Sequence, residues 1–140
     1  MTVSPNEEQL TELASTNDTG PVVMLNLLRF RAVAAYPDGR DGGTGAEAYQ
    51  RYADVALAKV AERGGRLLYA AAVDQTVIGP TAESWDQVAI VEYPSRAAFL
   101  DMIADPEYLA AHVHREAGLE DTRLIATTAL WSLSEPRAPG

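Results

Sequence analysis

The chain has 140 residues, 47% of them hydrophobic and 22% charged, proportions that suit one folded domain with its own core and exclude a disordered segment. Eleven Lys and Arg stand against 20 Asp and Glu for a formal net charge of −9, which argues against nucleic acid or an anionic membrane as partner, since both need a basic face. Cysteine is absent, which removes disulfides, thiolate nucleophiles and Cys-based metal sites together.

Ser4-Pro5-Asn6-Glu7 predicts a helix start, with Ser4 as cap, Pro5 in the first turn and Glu7 closing a capping box. That helix should turn Leu10, Leu13 and Ala14 inward and end near Asn17. The opening MTVSPNEEQL has no basic stretch followed by an apolar one, so no secretory leader is expected and the default location is cytoplasmic. No apolar run approaches the roughly 20 residues of a membrane span.

Val22 to Phe30 (VVMLNLLRF) reads as a central strand apolar on both faces. Val22, Met24, Asn26, Leu28 and Phe30 share one side; Val23, Leu25, Leu27 and Arg29 share the other. The glycine-dense YPDGRDGGTG that follows lacks the Lys-Ser/Thr of a P-loop and the GxGxxG spacing, so it reads as a flexible connection. Ala46 to Arg63 places Tyr49, Tyr52, Ala53, Ala56 and Val60 at helical spacing, and Gly64-Gly65 ends the helix. Arg66 to Val77 predicts a second strand. Asp86 to Tyr93 predicts a third, paired with the second as a hairpin across a short loop.

Pro94 stops the ladder because it has no amide to donate. Ser95 then caps a helix burying Ala98, Phe99 and Met102, and Asp105-Pro106 opens a further helical segment to Ala117. Thr122 to Leu133 predicts the fourth strand. The order is β-α-β-β-α-β, so the expected class is α+β, ferredoxin-like, with an antiparallel four-stranded sheet and an extra N-terminal helix. The expected layout is helix and turn over 1–20, the sheet domain over 21–133 and a C-terminal tail over 134–140.

Two main helices cover one face of such a sheet, and the strands are apolar on both. An exposed face of that kind exceeds the few hundred Å² a monomer usually shows, so a homodimer packed through it is expected.

Several short signatures accompany this order: Tyr52, the Gly64-Gly65-Arg66 turn, Trp85, the Val91-Glu92-Tyr93-Pro94-Ser95 junction, and Asp105-Pro106-Glu107-Tyr108 followed by Arg115. Over Val22 to Ala126 the chain resembles the dimeric α+β barrel superfamily, in particular the domain-of-unknown-function family 1330 branch. That superfamily includes cofactor-free monooxygenases, isomerases, cyclases and heme enzymes, so the resemblance implies a pocket rather than one reaction.

Tyr108, His112 and Arg115 fall at i, i+4 and i+7, one helix face. A phenol, an imidazole and a guanidinium grouped there could hold and polarise a carboxylate or enolate, with His112 as acid or base; a solvated or dimer-facing polar stripe is the plainer alternative. His114 points away from His112, which disfavours a metal pair. Asn26 is a polar residue in an apolar run, so a ligand or a neighbouring backbone group must answer it. Arg29 suits an ion pair, and Asp74 and Glu92 suit strand-end salt bridges. Tyr49 could aim its hydroxyl into a pocket or pack on the sheet, whereas Tyr52, Trp85 and Trp131 read as packing residues. Serine-nucleophile chemistry lacks a GxSxG elbow.

The expected site is therefore His112 and Arg115 in catalysis with Asn26, Tyr108 and Tyr49 binding substrate. The expected ligand is a small apolar or carboxylate-bearing organic molecule, handled without a cofactor or metal by proton transfer, isomerisation, cyclisation or oxygenation. The alternative is a non-catalytic ligand-binding or protein-interaction dimer.

Overall fold

The computed structural model describes residues 4–16 and 20–132. The elements run α1 (Glu7–Ser15), β1 (Val22–Phe30), α2 (Gly45–Glu62), β2 (Arg66–Ala72), β3 (Gln87–Tyr93), α3 (Arg96–Ile103), α4 (Pro106–Gly118) and β4 (Leu119–Thr127). The strands form one sheet in the order β2-β3-β1-β4, and each neighbouring pair is antiparallel. This is the ferredoxin-like α+β fold, with α1 added in front.

Helix ends follow local chemistry. The Ser95 hydroxyl accepts from the Ala98 amide, and Asp105 accepts from the Glu107 and Tyr108 amides ahead of Pro106. Gly64 takes φ +78° just past α2, a left-handed turn that glycine enters without strain. At α1 the cap is Asn6 rather than Ser4, and Gln9 rather than Glu7 closes the box. Leu13 packs on the core and Ala14 is exposed; the expected end at Asn17 lies outside the described residues.

Two strands are shorter than the sequence suggests, and each stops where its partner does. β2 ends at Ala72, opposite the first residue of β3, Gln87. The connection over residues 73–86 is accordingly long, not the short loop expected. β4 starts at Leu119, directly after α4, and ends at Thr127, which faces Val23. β1 itself begins only one residue earlier, at Val22, so the ladder has almost no partner left. Leu130 and Trp131, expected on that strand, stand almost fully exposed beyond it; Leu133 and the tail over 134–140 lie outside the described residues.

Val22, Met24, Val91 and Tyr93 point from the sheet towards the helices, meeting Tyr52, Ala56 and Val60 of α2, Phe99 and Met102 of α3, and Tyr108 and Ala111 of α4; Leu28 is fully buried on the same face. α2 and α4 approach closely where the amide of Gly45 donates to the Arg31 carbonyl and the Arg31 amide donates to that of Gly118. A Cβ on Gly118 would sit 2.8 Å from the Tyr49 amide nitrogen, so only glycine permits this contact. Lys59, buried on α2, reaches Glu62 at 3.1 Å, Glu107 at 3.1 Å and Asp105 at 3.6 Å, and Arg63 binds Asp101 and Asp105, both at 2.9 Å. These pairs hold α2 against α3 and the start of α4.

The loop over residues 31–44 is tied down, not merely a flexible connection. Tyr36 is buried, and Arg51 Nη1 donates to its hydroxyl at 2.8 Å while Arg40 lies over its ring. The hydroxyl stands 2.7 Å from His114 Nδ1. Burial, then the charges of Arg40 and Arg51, push the pKa of His114 down, so the ring is neutral and its Nδ1 accepts the hydrogen bond that the phenol donates.

Among the described residues, no helix lies on the opposite sheet face. Val23, Leu25, Leu27, Val88 and Ile90 are half-buried on it, and Tyr69 and Ile125 are exposed. Arg29 and Arg123 flank the Trp85 ring at 5.8 and 5.2 Å and share Asp121. Arg66 meets Glu92 at 3.1 Å, the strand-end bridge the sequence suggests.

Candidate ligand-binding site

The register dictates a hollow under α2 and α4. At mid-sheet the facing residues read Ala70, Ala89, Asn26 and Leu124 across the four strands. Two alanines on β2 and β3 leave empty the volume that larger side chains fill in the neighbouring row Leu67, Val91, Met24 and Ala126. The result is a cavity of about 440 Å³, in the range that holds small organic ligands. Its roof is Tyr49, Tyr52, Ala53 and Ala56 of α2 and Tyr108, His112 and Arg115 of α4, with Pro5 and Leu10 at one side.

All five residues expected at the site line this one cavity. Arg115 is 7% exposed. Its guanidinium carbon lies 5.4 Å from the Tyr52 ring centre, and it hydrogen-bonds the Tyr49 hydroxyl. Burial works against its charge, but the Tyr52, Tyr49 and Tyr108 hydroxyls outweigh burial and hold its pKa above the ordinary arginine value. Arg115 is therefore a permanent cation on an otherwise largely apolar wall.

The phenols are the complement. Tyr52 and Tyr108 hydroxyls meet at 2.8 Å. Burial pushes Tyr49 up to about 12, against the pull of Arg115, and raises Tyr52, Tyr93 and Tyr108 as well. At neutral pH all four stay protonated and can donate hydrogen bonds.

His112 sits at the edge, its ring 6.3 Å from that of Tyr108. Its Nδ1 lies 2.9 Å from Glu116 Oε1 and its Nε2 lies 3.5 Å from the Ser4 hydroxyl. The carboxylate accepts only a proton-bearing nitrogen, so Glu116 fixes the Nδ1–H tautomer and makes Nε2 the acceptor, with the Ser4 hydroxyl as its partner until a substrate displaces it. Sequence reasoning passed over Glu116 although its spacing of four from His112 was the signal. It also took Tyr52 as packing alone, and nothing in the sequence linked Ser4 to His112.

Asn26 has a determinate orientation. Its Nδ2 donates to the Ala89 carbonyl at 3.1 Å and approaches that of Met24 at 3.5 Å, so a backbone group on the neighbouring strand answers the amide. Among the described residues, no group of three or more His, Asp or Glu converges as a metal site, and no helix is long and apolar enough to cross a membrane.

Fold and cavity together define a ferredoxin-like α+β subunit with an internal chamber between helices and sheet. The chain belongs to the family described as Domain of unknown function (DUF1330), whose model matches residues 43–129. It is 42% identical to RPA0582, a protein of unknown function from Rhodopseudomonas palustris, with a TM-score of 0.86 over 93% of this chain and 98% of that one. More distant structures share the fold alone. SnoaB, a cofactor-independent oxygenase from Streptomyces nogalater, is 17% identical with a TM-score of 0.54 over 83% and 99% of the two chains. A dimeric protein of unknown function and ferredoxin-like fold from Bacteroides fragilis is 13% identical with a TM-score of 0.50 over 77% and 95%. No curated protein matches the chain.

Proposed function

We propose that this chain is a homodimeric small-molecule protein whose cavity takes a largely apolar organic anion, a carboxylate or an enolate, and moves a proton on it without a cofactor. The observation that carries the reading is the buried Arg115 set among three protonated phenols on the wall of an apolar chamber. A guanidinium in such surroundings attracts an anion far more strongly than it would in water, because the local dielectric is low. Tyr49 and one hydroxyl of the Tyr52–Tyr108 pair supply donors for the anion's remaining lone pairs, the other hydroxyl's proton being spent within the pair, and the alanines of the floor admit its apolar body.

His112, oriented by Glu116, presents Nε2 as the base. It removes a proton adjacent to a carbonyl, and the negative charge that develops on oxygen is stabilised from the Arg115 and tyrosine side. The proton returns from the same nitrogen to a different atom, completing an isomerisation with no other reactant. SnoaB, a fold neighbour, is described as cofactor-independent, which agrees with chemistry that rests on side chains alone.

Homodimerisation is supported by the uncovered sheet face with Tyr69 and Ile125 exposed and by the dimeric relative from Bacteroides fragilis. The sheet domain and the N-terminal segment, whose Pro5 and Leu10 line the cavity, act as one binding unit. A cytoplasmic location is part of this reading.

The test is calorimetry and thermal shift against aromatic and alicyclic carboxylates, with Arg115→Met beside the parent chain. Binding that requires both the ligand's carboxylate and Arg115 supports the reading; equal binding of acids and their methyl esters refutes it. His112→Ala and Glu116→Gln should leave binding and the melting temperature nearly unchanged while reducing turnover.

A further inference from the structure

Within that reading, we infer that the preferred ligand is a hydroxy acid, bound with its anion towards Arg115 and its hydroxyl donating to Asn26 Oδ1. The inference rests on the cavity reading above and adds the second recognition point, so it narrows the substrate class.

Asn26 is a polar group of the cavity floor, as is Gln87 of β3, and it is flanked by Ala89 and Leu124 in its row. An amide can present either its oxygen or its nitrogen to a ligand. Here the surroundings decide. One end of the amide faces the carbonyl oxygens of Ala89 and Met24, at 3.1 and 3.5 Å. An oxygen placed there would meet two other acceptors, so the nitrogen occupies that end and its two hydrogens are directed to the sheet. The other end is the acceptor Oδ1, on a residue that lines the cavity, and no hydrogen bond to it is found among the described residues.

The consequence reverses the role that residue type alone suggests. An asparagine in a site with an arginine is readily taken as a second oxyanion donor, but this one has committed its donors to the backbone. Oδ1 would repel an oxyanion and requires a donor. The roof, by contrast, offers a cation and neutral phenols. A ligand matching both must carry an anion at one position and a hydroxyl at another on a largely apolar frame. Leaving Oδ1 without a partner beneath a bound apolar ligand would strand a desolvated acceptor, which is how sites reject analogues that lack a hydroxyl.

The experiment compares matched probes on the full chain: the positional isomers of hydroxybenzoate and hydroxynaphthoate, each with its methyl ether and its methyl ester, by calorimetry. At least one hydroxy acid should bind about tenfold or more tightly than its methyl ether, and Asn26→Leu should erase that preference. Equal binding of hydroxy acid and ether overturns the inference while the anion reading stands. Equal binding of acid and ester overturns the anion reading, and so does failure of every probe to bind, and the inference falls with it. If Asn26→Leu does not fold, the side-chain amide resonance of Asn26 in the parent chain replaces it. It should move on adding the hydroxy acid and stay in place with the ether; identical movement with both refutes the inference.

Discussion

The alanine floor makes a stability prediction that ordinary core physics would reverse. In a close-packed interior, Ala89→Leu inserts an isopropyl group where no room exists and costs about 1–3 kcal/mol. Here the Ala89 side chain borders a void of about 440 Å³, so the new atoms enter empty space. At about 0.8 kcal/mol per buried carbon the added group contributes about 2.4 kcal/mol, less about 0.5–1 kcal/mol for the rotamer freedom of a leucine. A net gain of about 1.5–2 kcal/mol raises the melting temperature of a chain this long by about 6–8 °C. The same group occupies the space beside Asn26, so ligand binding should be abolished as stability rises. Differential scanning calorimetry with parallel ligand titration reads both. A melting temperature lowered by several degrees would refute the hollow, and retained binding would refute its assignment as the site.

Tyr49, Tyr52, Tyr93 and Tyr108 predict an alkaline limit. Their pKa values are raised in the fold, so that stabilisation is complete below about pH 10, where an unfolded phenol ionises, and declines as pH climbs towards the folded values, about 12 for Tyr49. Ultraviolet titration should show Tyr49, Tyr52, Tyr93 and Tyr108 ionising only as circular dichroism is lost; ionisation near pH 10 in a native spectrum contradicts this. Asp105 works in the opposite sense. The Arg63 hydrogen bond holds its pKa below the ordinary aspartate value, so its contribution is present above about pH 4 and lost as pH falls through the lowered value. Asp105→Ala should lower the melting temperature at pH 7 and have a smaller effect at pH 2, as followed by circular dichroism. His114 adds an acid-side loss beginning below about pH 6.5, because its pKa is lowered by burial and by Arg40 and Arg51; proton NMR should find it titrating below that value. Ile125→Asp on the uncovered sheet face should yield a 15 kDa particle in ultracentrifugation, and a parent chain already at that mass would refute the dimer.

The order of elements was legible because each left a local mark. Ser95 and Asp105 announce their caps, Gly64 its left-handed turn, and Pro94 the end of β3. The Tyr108, His112 and Arg115 grouping was legible too, since helical period alone puts spacings of four and three on one face. Strand lengths were not. The alternation of Arg66 to Val77 and Thr122 to Leu133 suits a strand throughout, but a ladder lasts only as long as its partner, and the partner's start is a long-range fact. The cavity escaped for a related reason: Ala70 and Ala89 are unremarkable alone and become a chamber only when register sets them beside each other beneath α2. Orientation was likewise a tertiary matter. Sequence could say that the Asn26 amide must be answered, but only the Ala89 carbonyl across the strand pair determines which end of it faces a ligand.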